Sequence, residues 1–478
     1  MADIQYICLS DMHLGEEDSL LTGIDRGGNV TPLISSPVME GLVACLAKLV
    51  DGGAKPTLIL GGDILELALG TMNQAAMTFE TFIRRTMKQG QELFSEIIFL
   101  PGNHDHHLWE LARETQYVDY ITDTLLDQKD LPAPWHFTRM FKDQAHPGVD
   151  SYLLSNLLKR VAREPGYEHL AKEKIKTFYP NFGLKNAAGN RAAVFTHGHY
   201  TEKLYSLMTT LRRLFFPEED PPATVNELEA ENFAWIDFFW STLGRSGKAG
   251  QSVESIYETF LCAADVKGLL KDLAKRLAAC FDIPFIWEGG EAKLVEWVLG
   301  WILKDLKGLE RKNTDASLSH QADAGLKEYV EKYLKQQIVE ENAVVPAEVV
   351  LTFGHTHKPF AKDMSGLAGY PDWVDVYNTG GWIIETIAPA KTHGAALVLM
   401  DGGLNVTSIR MYQEAEKPED YKVAVVEASH DGDRSSPFHK QIIDLVKPAE
   451  EPWKSFSRTA AAEVELRRKL FKHRHGLE

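Results

Sequence analysis

Cysteine is scarce in this 478-residue chain: Cys8, Cys45, Cys262 and Cys280 are the only four, and none stands in a C-x-x-C spacing. That argues against a disulfide framework. Long apolar runs are missing too. The longest candidate, Leu294 to Leu303, is interrupted by Glu296 and Gly300 and is too short to span a bilayer. The start M-A-D-I-Q lacks a basic stretch followed by an apolar one, so a reducing cytoplasm is the expected setting. Positive charge is in deficit. A formal net charge of -17 disfavours attraction to a nucleic-acid backbone, and a nuclease with it. Repeats and low-complexity tracts are absent as well, and a chain 44% hydrophobic and 25% charged can build an ordinary globular core.

What the chain does have is a set of short polar clusters, each directly behind an apolar, strand-like run. Asp11 and His13 (D-M-H) follow Ile4 to Leu9, and Asp63 (G-G-D) follows Thr57 to Leu60. Asn103, His104 and Asp105 (G-N-H-D) follow Glu96 to Leu100. His197 and His199 (T-H-G-H) follow Ala192 to Phe195, and His355 and His357 (G-H-T-H) follow Val349 to Phe353. Continuous aliphatic and β-branched runs read as strands buried on both faces of a sheet. If those strands are mostly parallel, every cluster emerges at one carboxyl rim, where open α/β sheets place their sites.

Two cations held side by side need a carboxylate that can bridge them. Asp63, behind two glycines that let the backbone turn tightly, is the bridging candidate. Asp11, His13 and one of the two C-terminal histidines would complete one shell; Asn103, His197 and the other histidine would complete the second. Imidazole, carboxylate and amide donors without thiolate suit Mn²⁺, Fe²⁺ or Zn²⁺ better than Ca²⁺ or an iron–sulfur cluster. Such a pair lowers the pKa of a bound water, supplies a hydroxide nucleophile and clamps the attacking and leaving oxygens of an in-line displacement at phosphorus. His104 is the candidate to steady the phosphoryl oxygens or protonate the departing one, and Asp105 is expected to hydrogen-bond its imidazole. Lone histidines near apolar strands (His106, His107, His136, His146 and His393) read as structural.

Taken together, the clusters resemble the signature of the calcineurin-like metallophosphoesterase superfamily: D-x-H, G-D, G-N-H-D or E, a histidine before glycine, and G-H-x-H. The resemblance implies an α/β fold, a four-layer α/β/β/α sandwich of two facing mixed sheets flanked by helices, here with a large helical insertion. It assigns Asp11, His13, Asp63 and His357 to one metal, Asp63, Asn103, His197 and His355 to the other, and the catalytic role to His104. The family's ligand histidine stands directly before the glycine, which favours His197 and leaves His199 to contact substrate or a ligand's surroundings. The implied cofactors are two divalent metal ions, manganese first, with iron or zinc as alternatives. The implied activity is hydrolysis of a phosphoester, as a phosphatase or a phosphodiesterase. S-D-x-H-L-G also resembles the UDP-diacylglucosamine pyrophosphatase branch, which holds acyl chains under a helical cap but carries an arginine at the place of His104. A nucleotide-linked or lipid-linked pyrophosphate is therefore an alternative substrate. An alternative of another class is a non-catalytic metal-binding scaffold, since one retromer subunit keeps this fold without the catalytic histidine.

The metallophosphoesterase core is expected over residues 1–199 and 345–412, interrupted by a mostly helical insertion over 200–344. That insertion carries F-A-W-I-D-F-F-W (Phe233 to Trp240), F-I-W (Phe285 to Trp287) and Leu294 to Leu303, and returns through a crossover helix over Gly325 to Glu341. It reads either as a cap that clamps a greasy substrate, with Arg212 and Arg213 for phosphate, or as a subdomain burying its own aromatics. Within the core, Ser36-Pro37 caps and starts a first crossover helix, and Leu65 to Phe94 reads as largely helical. The stretches V-D-V-Y-N, A-A-L-V-L-M and V-T-S-I-R-M-Y between Val374 and Tyr412 are expected to complete the second sheet. Residues 413–478 read as a packing or oligomerisation appendage. The expected partner is a phosphorylated small-molecule or lipid-linked substrate; the oligomeric state stays open.

Overall fold

Each apolar run ahead of a polar cluster becomes a short strand. These are β1 (Tyr6–Leu9), β2 (Thr57–Leu60), β3 (Glu96–Phe99), β7 (Arg191–Thr196) and β8 (Glu348–Phe353). The computed structural model describes residues 3–123, 135–242, 316–371, 373–428 and 436–474. It is a mixed α/β fold with two mixed sheets. F-I-W at Phe285 to Trp287 and the stretch Leu294 to Leu303 lie outside the described residues.

The remaining strands are β4 (Val149–Asp150), β5 (Lys176–Thr177), β6 (Asn181–Lys185), β9 (Phe360–Ser365), β10 (Trp373–Asn378), β11 (Gly394–Met400), β12 (Val406–Gln413) and β13 (Ala424–Val426). The eight-stranded sheet has the order β13-β12-β11-β1-β2-β3-β5-β4, and the five-stranded sheet β6-β7-β8-β10-β9. Neighbours β1, β2, β3 and β5 run parallel, as do β7, β8 and β10. Their carboxyl ends therefore deliver the clusters in two groups, one from each sheet.

Two of the late strand-like runs correct the sequence expectation. V-D-V-Y-N, as β10, does join the second sheet, pairing in parallel with β8. A-A-L-V-L-M and V-T-S-I-R-M-Y do not: β11 pairs antiparallel with β1, and β12 with β11, in the first sheet. Apolar runs of this kind carry no signal for which sheet they enter. All seven residues of β11 are buried, so it has no polar face to turn to solvent and fills an interior position with Val398 opposite Cys8.

Helices pack against both sheets. In α1 (Pro37–Val50), Ser36 Oγ accepts from Met39 N at 3.0 Å, and proline occupies the first turn. Helix α2 spans only Met72–Thr86 of the expected Leu65 to Phe94, because the residues just after Leu65 belong to the site loop. Further helices are α3 (His107–Asp123), α4 (Tyr152–Val161), α5 (Leu207–Phe215) and α6 (Val225–Ile236). The returning segment forms α7 (His320–Glu328), a π-helical turn over Tyr329–Leu334 and α8 (Lys335–Asn342). The chain closes with α9 (Pro437–Leu445) and α10 (Trp453–Arg474). No helix among the described residues is long and apolar enough to cross a membrane.

The apolar interior divides into three main clusters. One packs the first sheet against α1, α2, α4, α9 and α10. Another packs the second sheet against α6, α7 and α8. A third takes Cys8, Ile59 and Ile98 from the first sheet and Phe195, Val350 and Tyr377 from the second. The C-terminal helix contributes Trp453, Phe456 and Val464 to the core and buries Arg467, whose guanidinium donates to the carbonyls of Glu17 and Thr22 beside the first cluster.

The insertion is tied down by a buried acid. Glu229 on α6 accepts from Tyr179 Oη at 2.9 Å, and burial pushes its carboxyl up to about 8. The unfolded chain would release this proton near pH 4.3. Between that pH and about 8 the folded state holds more protons than the unfolded one, so this group's contribution to stability falls as pH rises. Glu229→Gln keeps the acceptor and removes the titration. Its melting temperature relative to wild type is expected to rise between pH 5 and pH 8; a difference that does not change with pH would count against a protonated Glu229.

Candidate metal centre

The loops leaving the parallel strands are laced to one another before any side chain is considered. Asp11 N donates to Gly62 O at 2.9 Å, and His13 N to Asp63 O at 3.0 Å, joining the first two clusters. Gly354 N donates to His197 O at 3.0 Å, joining the last two. Between the sheets, His355 N donates to Asp11 Oδ1 at 2.9 Å. Asn378, at the end of β10, donates from Nδ2 to Gly354 O at 2.7 Å and fixes the H-T-H turn.

The backbone is strained at the predicted ligands. Asp11, His13, Asp63, His355 and His357 have φ of 49°, 44°, 51°, 66° and 57°. Among the described residues only Ala343 and Leu404 are other non-glycine positions in that region. Each such conformation costs on the order of 1–3 kcal/mol and persists only where the surroundings impose it. Close approach explains two of the glycines: a Cβ at Gly354 would overlap the Asp11 carboxylate, and one at Gly102 that of Asp63.

The side chains converge into two adjoining groups. Candidate donor atoms of Asp11, His13 and His357 all lie within 4.8 Å of one another, as do those of Asp63, His197 and His355. All six residues are buried. Asp63 Oδ2 lies between the groups, 3.3 Å from His197 Nε2 and 3.9 Å from His13 Nε2. Asn103 Oδ1 completes the second group, 2.9 Å from His197 Nε2 and 3.0 Å from His355 Nδ1. In the first, His13 Nε2 and His357 Nε2 face each other at 3.3 Å, and His357 Nε2 is 3.3 Å from Asp11 Oδ1.

Each of the four imidazoles has its far nitrogen fixed by an acceptor. His13 Nδ1 is 2.7 Å from Glu66 Oε2, His357 Nδ1 2.9 Å from Glu385 Oε2, His355 Nε2 2.7 Å from Glu202 Oε1 and His197 Nδ1 3.2 Å from Gly61 O. That pattern, one nitrogen anchored and the other turned inward, is how metal-binding histidines are oriented. The electrostatics agree. Burial alone would lower the His197 pKa, yet Asp63, Asp11 and Asp105 together push it up to about 9. Burial would raise Asp63, and the surrounding imidazoles hold it well below the carboxylate range. At His197 the field favours positive charge, whereas at His13 burial outweighs Glu66 and lowers the pKa; the oxygen and nitrogen donors fit Mn²⁺, Fe²⁺ or Zn²⁺.

His104 and Asp105 are placed differently from one another. His104 is buried at the same rim, its ring 4.9 Å from that of His13. Asp105 does not hydrogen-bond it, which corrects the expectation. Its carboxylate accepts instead from the backbone N–H groups of Gly102, Asp63, Ile64 and Leu65, at 2.6, 3.3, 2.7 and 3.2 Å. The turn carrying Asp63 needs those acceptors, because its amides are buried and have left the strand ladder. The partner of His104 is Glu66, with Nδ1 2.9 Å from Oε1. Burial raises the Glu66 carboxyl, but His104 and His13 outweigh it and hold Glu66 well below the usual range.

Glu66, Glu202 and Glu385 are the residues that sequence reasoning missed. Glu66 and Glu202 stand a few positions past a cluster, in G-D-I-L-E and H-G-H-Y-T-E, and Glu385 follows the late Gly380-Gly381 turn in G-G-W-I-I-E. A search for acids able to steady each histidine could have raised them. Of the two arginines considered for phosphate contact, Arg212 is paired with Glu219 and Glu231 within the insertion, and Arg213 is exposed on the same helix. His199 is buried beside the second group, its ring 5.8 Å from that of His197. No protein-family model matches the chain, and no curated protein does either.

Proposed function

We propose that this protein is a metal-dependent hydrolase of phosphoester bonds. The carrying observation is the geometry of four buried imidazoles, each anchored at its far nitrogen, around a carboxylate oxygen that lies between two donor groups. Asp11, His13, Asp63 and His357 would hold one divalent cation, and Asp63, Asn103, His197 and His355 the other. When bound, such a pair activates water and stabilises charge on phosphoryl oxygens.

The chain's own residues supply the rest. Glu66 holds the His104 Nδ1–H and leaves the opposite nitrogen to exchange a proton with the departing oxygen. Glu385, Glu202 and Gly61 fix the rings of His357, His355 and His197, so that the donors need no reorganisation. Asp105 holds the turn that presents Asp63. The fold we propose around the site is a four-layer α/β/β/α sandwich. Three clusters support it: one joining the sheets to each other and two joining each sheet to helices.

The test is direct. Protein loaded with Mn²⁺ is expected to hydrolyse para-nitrophenyl phosphate or its bis ester, and the preferred ester separates monoesterase from diesterase. Full metal occupancy with no turnover of any phosphorus ester would favour the scaffold.

A further inference from the structure

The far end of the G-N-H-D loop is held by a segment from outside the core. Helix α3 begins at His107, shortly past Asn103, and the first amide of a helix has no acceptor within it. Here the acceptor is Ser241 Oγ at 2.9 Å, supplied by the insertion 134 residues further along the chain. Asp237 reaches the same residue, with Oδ1 3.1 Å from His107 Nδ1. Further back on the insertion, the Phe233 ring lies 5.0 Å from the Arg113 guanidinium carbon. Glu229 accepts from Tyr179, on which Trp109 of α3 stacks with ring centroids 5.2 Å apart. Glu229, Phe233, Asp237 and Ser241 recur at every fourth position, one row along α6 and its continuation. Four residues overshoot one α-helical turn, so such a row drifts around the axis. The wider π-helical turn over Asp237–Thr242 takes that drift back and keeps Ser241 beside Asp237.

The same segment reaches the H-T-H turn of the other sheet. Glu202 Oε1 lies 2.7 Å from His355 Nε2, and Tyr205 packs edge-on against that imidazole with centroids 5.0 Å apart. Trp240, next to Ser241, packs on Tyr205 at 5.1 Å. Asn103 and His355, on the two loops so approached, meet at 3.0 Å in the second donor group. We infer that Asp237 and Ser241 are positioning residues for the cation of that group: by holding the start of α3 they fix the loop that carries Asn103, so docking of α6 and occupancy of the group are coupled. The inference rests on the metal-binding part of the proposed hydrolase. It needs no charge on His107, since a neutral imidazole with its proton on Nδ1 makes the bond to Asp237. Coupling of this kind is reciprocal: whatever affinity the docked helix adds to the cation, the bound cation returns as stability of docking. The first donor group, steadied by Glu66 and Glu385 outside the insertion, serves as the internal control.

The experiment titrates the full-length protein with Mn²⁺ while calorimetry reads the two affinities and hydrogen exchange reads the backbone of Val225–Ile236. It compares wild type with Asp237→Leu, Ser241→Ala and Asp237→Asn, the last of which keeps an acceptor. Asn103→Ala identifies the ion of the second group as the one whose affinity it lowers. In wild type, exchange over α6 is expected to slow about tenfold as that ion binds and to stay level as the other does. Asp237→Leu and Ser241→Ala should each weaken that ion about tenfold, leave the other unchanged and remove the slowing. Asp237→Asn should retain most of both effects. Wild-type exchange that ignores Mn²⁺, or variants that loosen α6 while both affinities stay as they were, would make these contacts structural only and overturn the inference. The wild-type measurement decides even where a variant fails to fold. Both effects in a protein that hydrolyses no phosphorus ester would uphold the inference and remove the hydrolase reading; turnover with neither effect would do the reverse.

Discussion

Asp63→Ala is expected to bind one divalent cation or none, and to lose turnover by more than the roughly 10–100-fold typical of removing a ligand's outer partner. The reason is position. Its Oδ2 is the oxygen that lies between the two donor groups, 3.3 Å from His197 and 3.9 Å from His13, while Oδ1 accepts from His104 N at 2.7 Å. Removing the side chain thus takes a donor from both groups and releases the loop that carries His104. The fold should survive, because burial and the Asp63 charge now push Asp105 up to about 7, and removing Asp63 relieves part of that pressure. Metal analysis of the folded variant, with Asp63→Asn as the shape-preserving control, gives the answer. Two ions retained by both variants would remove the bridging role.

His104→Gln should behave in the opposite way, keeping both ions while turnover drops by about 10²-fold or more, as for a lost acid–base group. The Glu66 carboxylate bridges His104 and His13, 2.9 Å and 2.7 Å from their Nδ1 atoms, and is held ionised by them. It orients the His104 ring so that the opposite nitrogen is the one that can deliver a proton. Glutamine approximates the size and hydrogen bonding of the imidazole but cannot carry that proton. A revealing alternative outcome exists, because His13, Glu66 and His104 also form a group compact enough to hold an ion. Metal loss in His104→Gln comparable to that in Asp63→Ala would make His104 a ligand and end its assignment as proton donor.

Much of the strand framework was legible because buried strands in parallel sheets are written as unbroken aliphatic runs. Tyr6 to Leu9, Thr57 to Leu60 and Glu96 to Phe99 could be located that way, and the polar residues behind them could be placed at strand ends. Pairing was less legible. An all-apolar strand such as β11 carries no alternation to say which sheet it enters, and its partner β1 lies hundreds of residues away. The extent of α2 was overestimated because the pull of Asp105 on the amides of Ile64 and Leu65 is a contact across loops, invisible to local periodicity.

The sequence by itself determined the inventory: which acids, imidazoles and amide follow which strands, in what order, and that thiolates are absent from the set. Only the tertiary structure decided who steadies whom. Glu66 rather than Asp105 meets His104, Glu202 and Glu385 meet His355 and His357, and Arg212 pairs with Glu231 on the next helix. Strand periodicity follows from local backbone geometry and burial, which neighbours in the chain report. Hydrogen bonds between loops depend on distances set by the packing of two sheets, and no local stretch of chain encodes those.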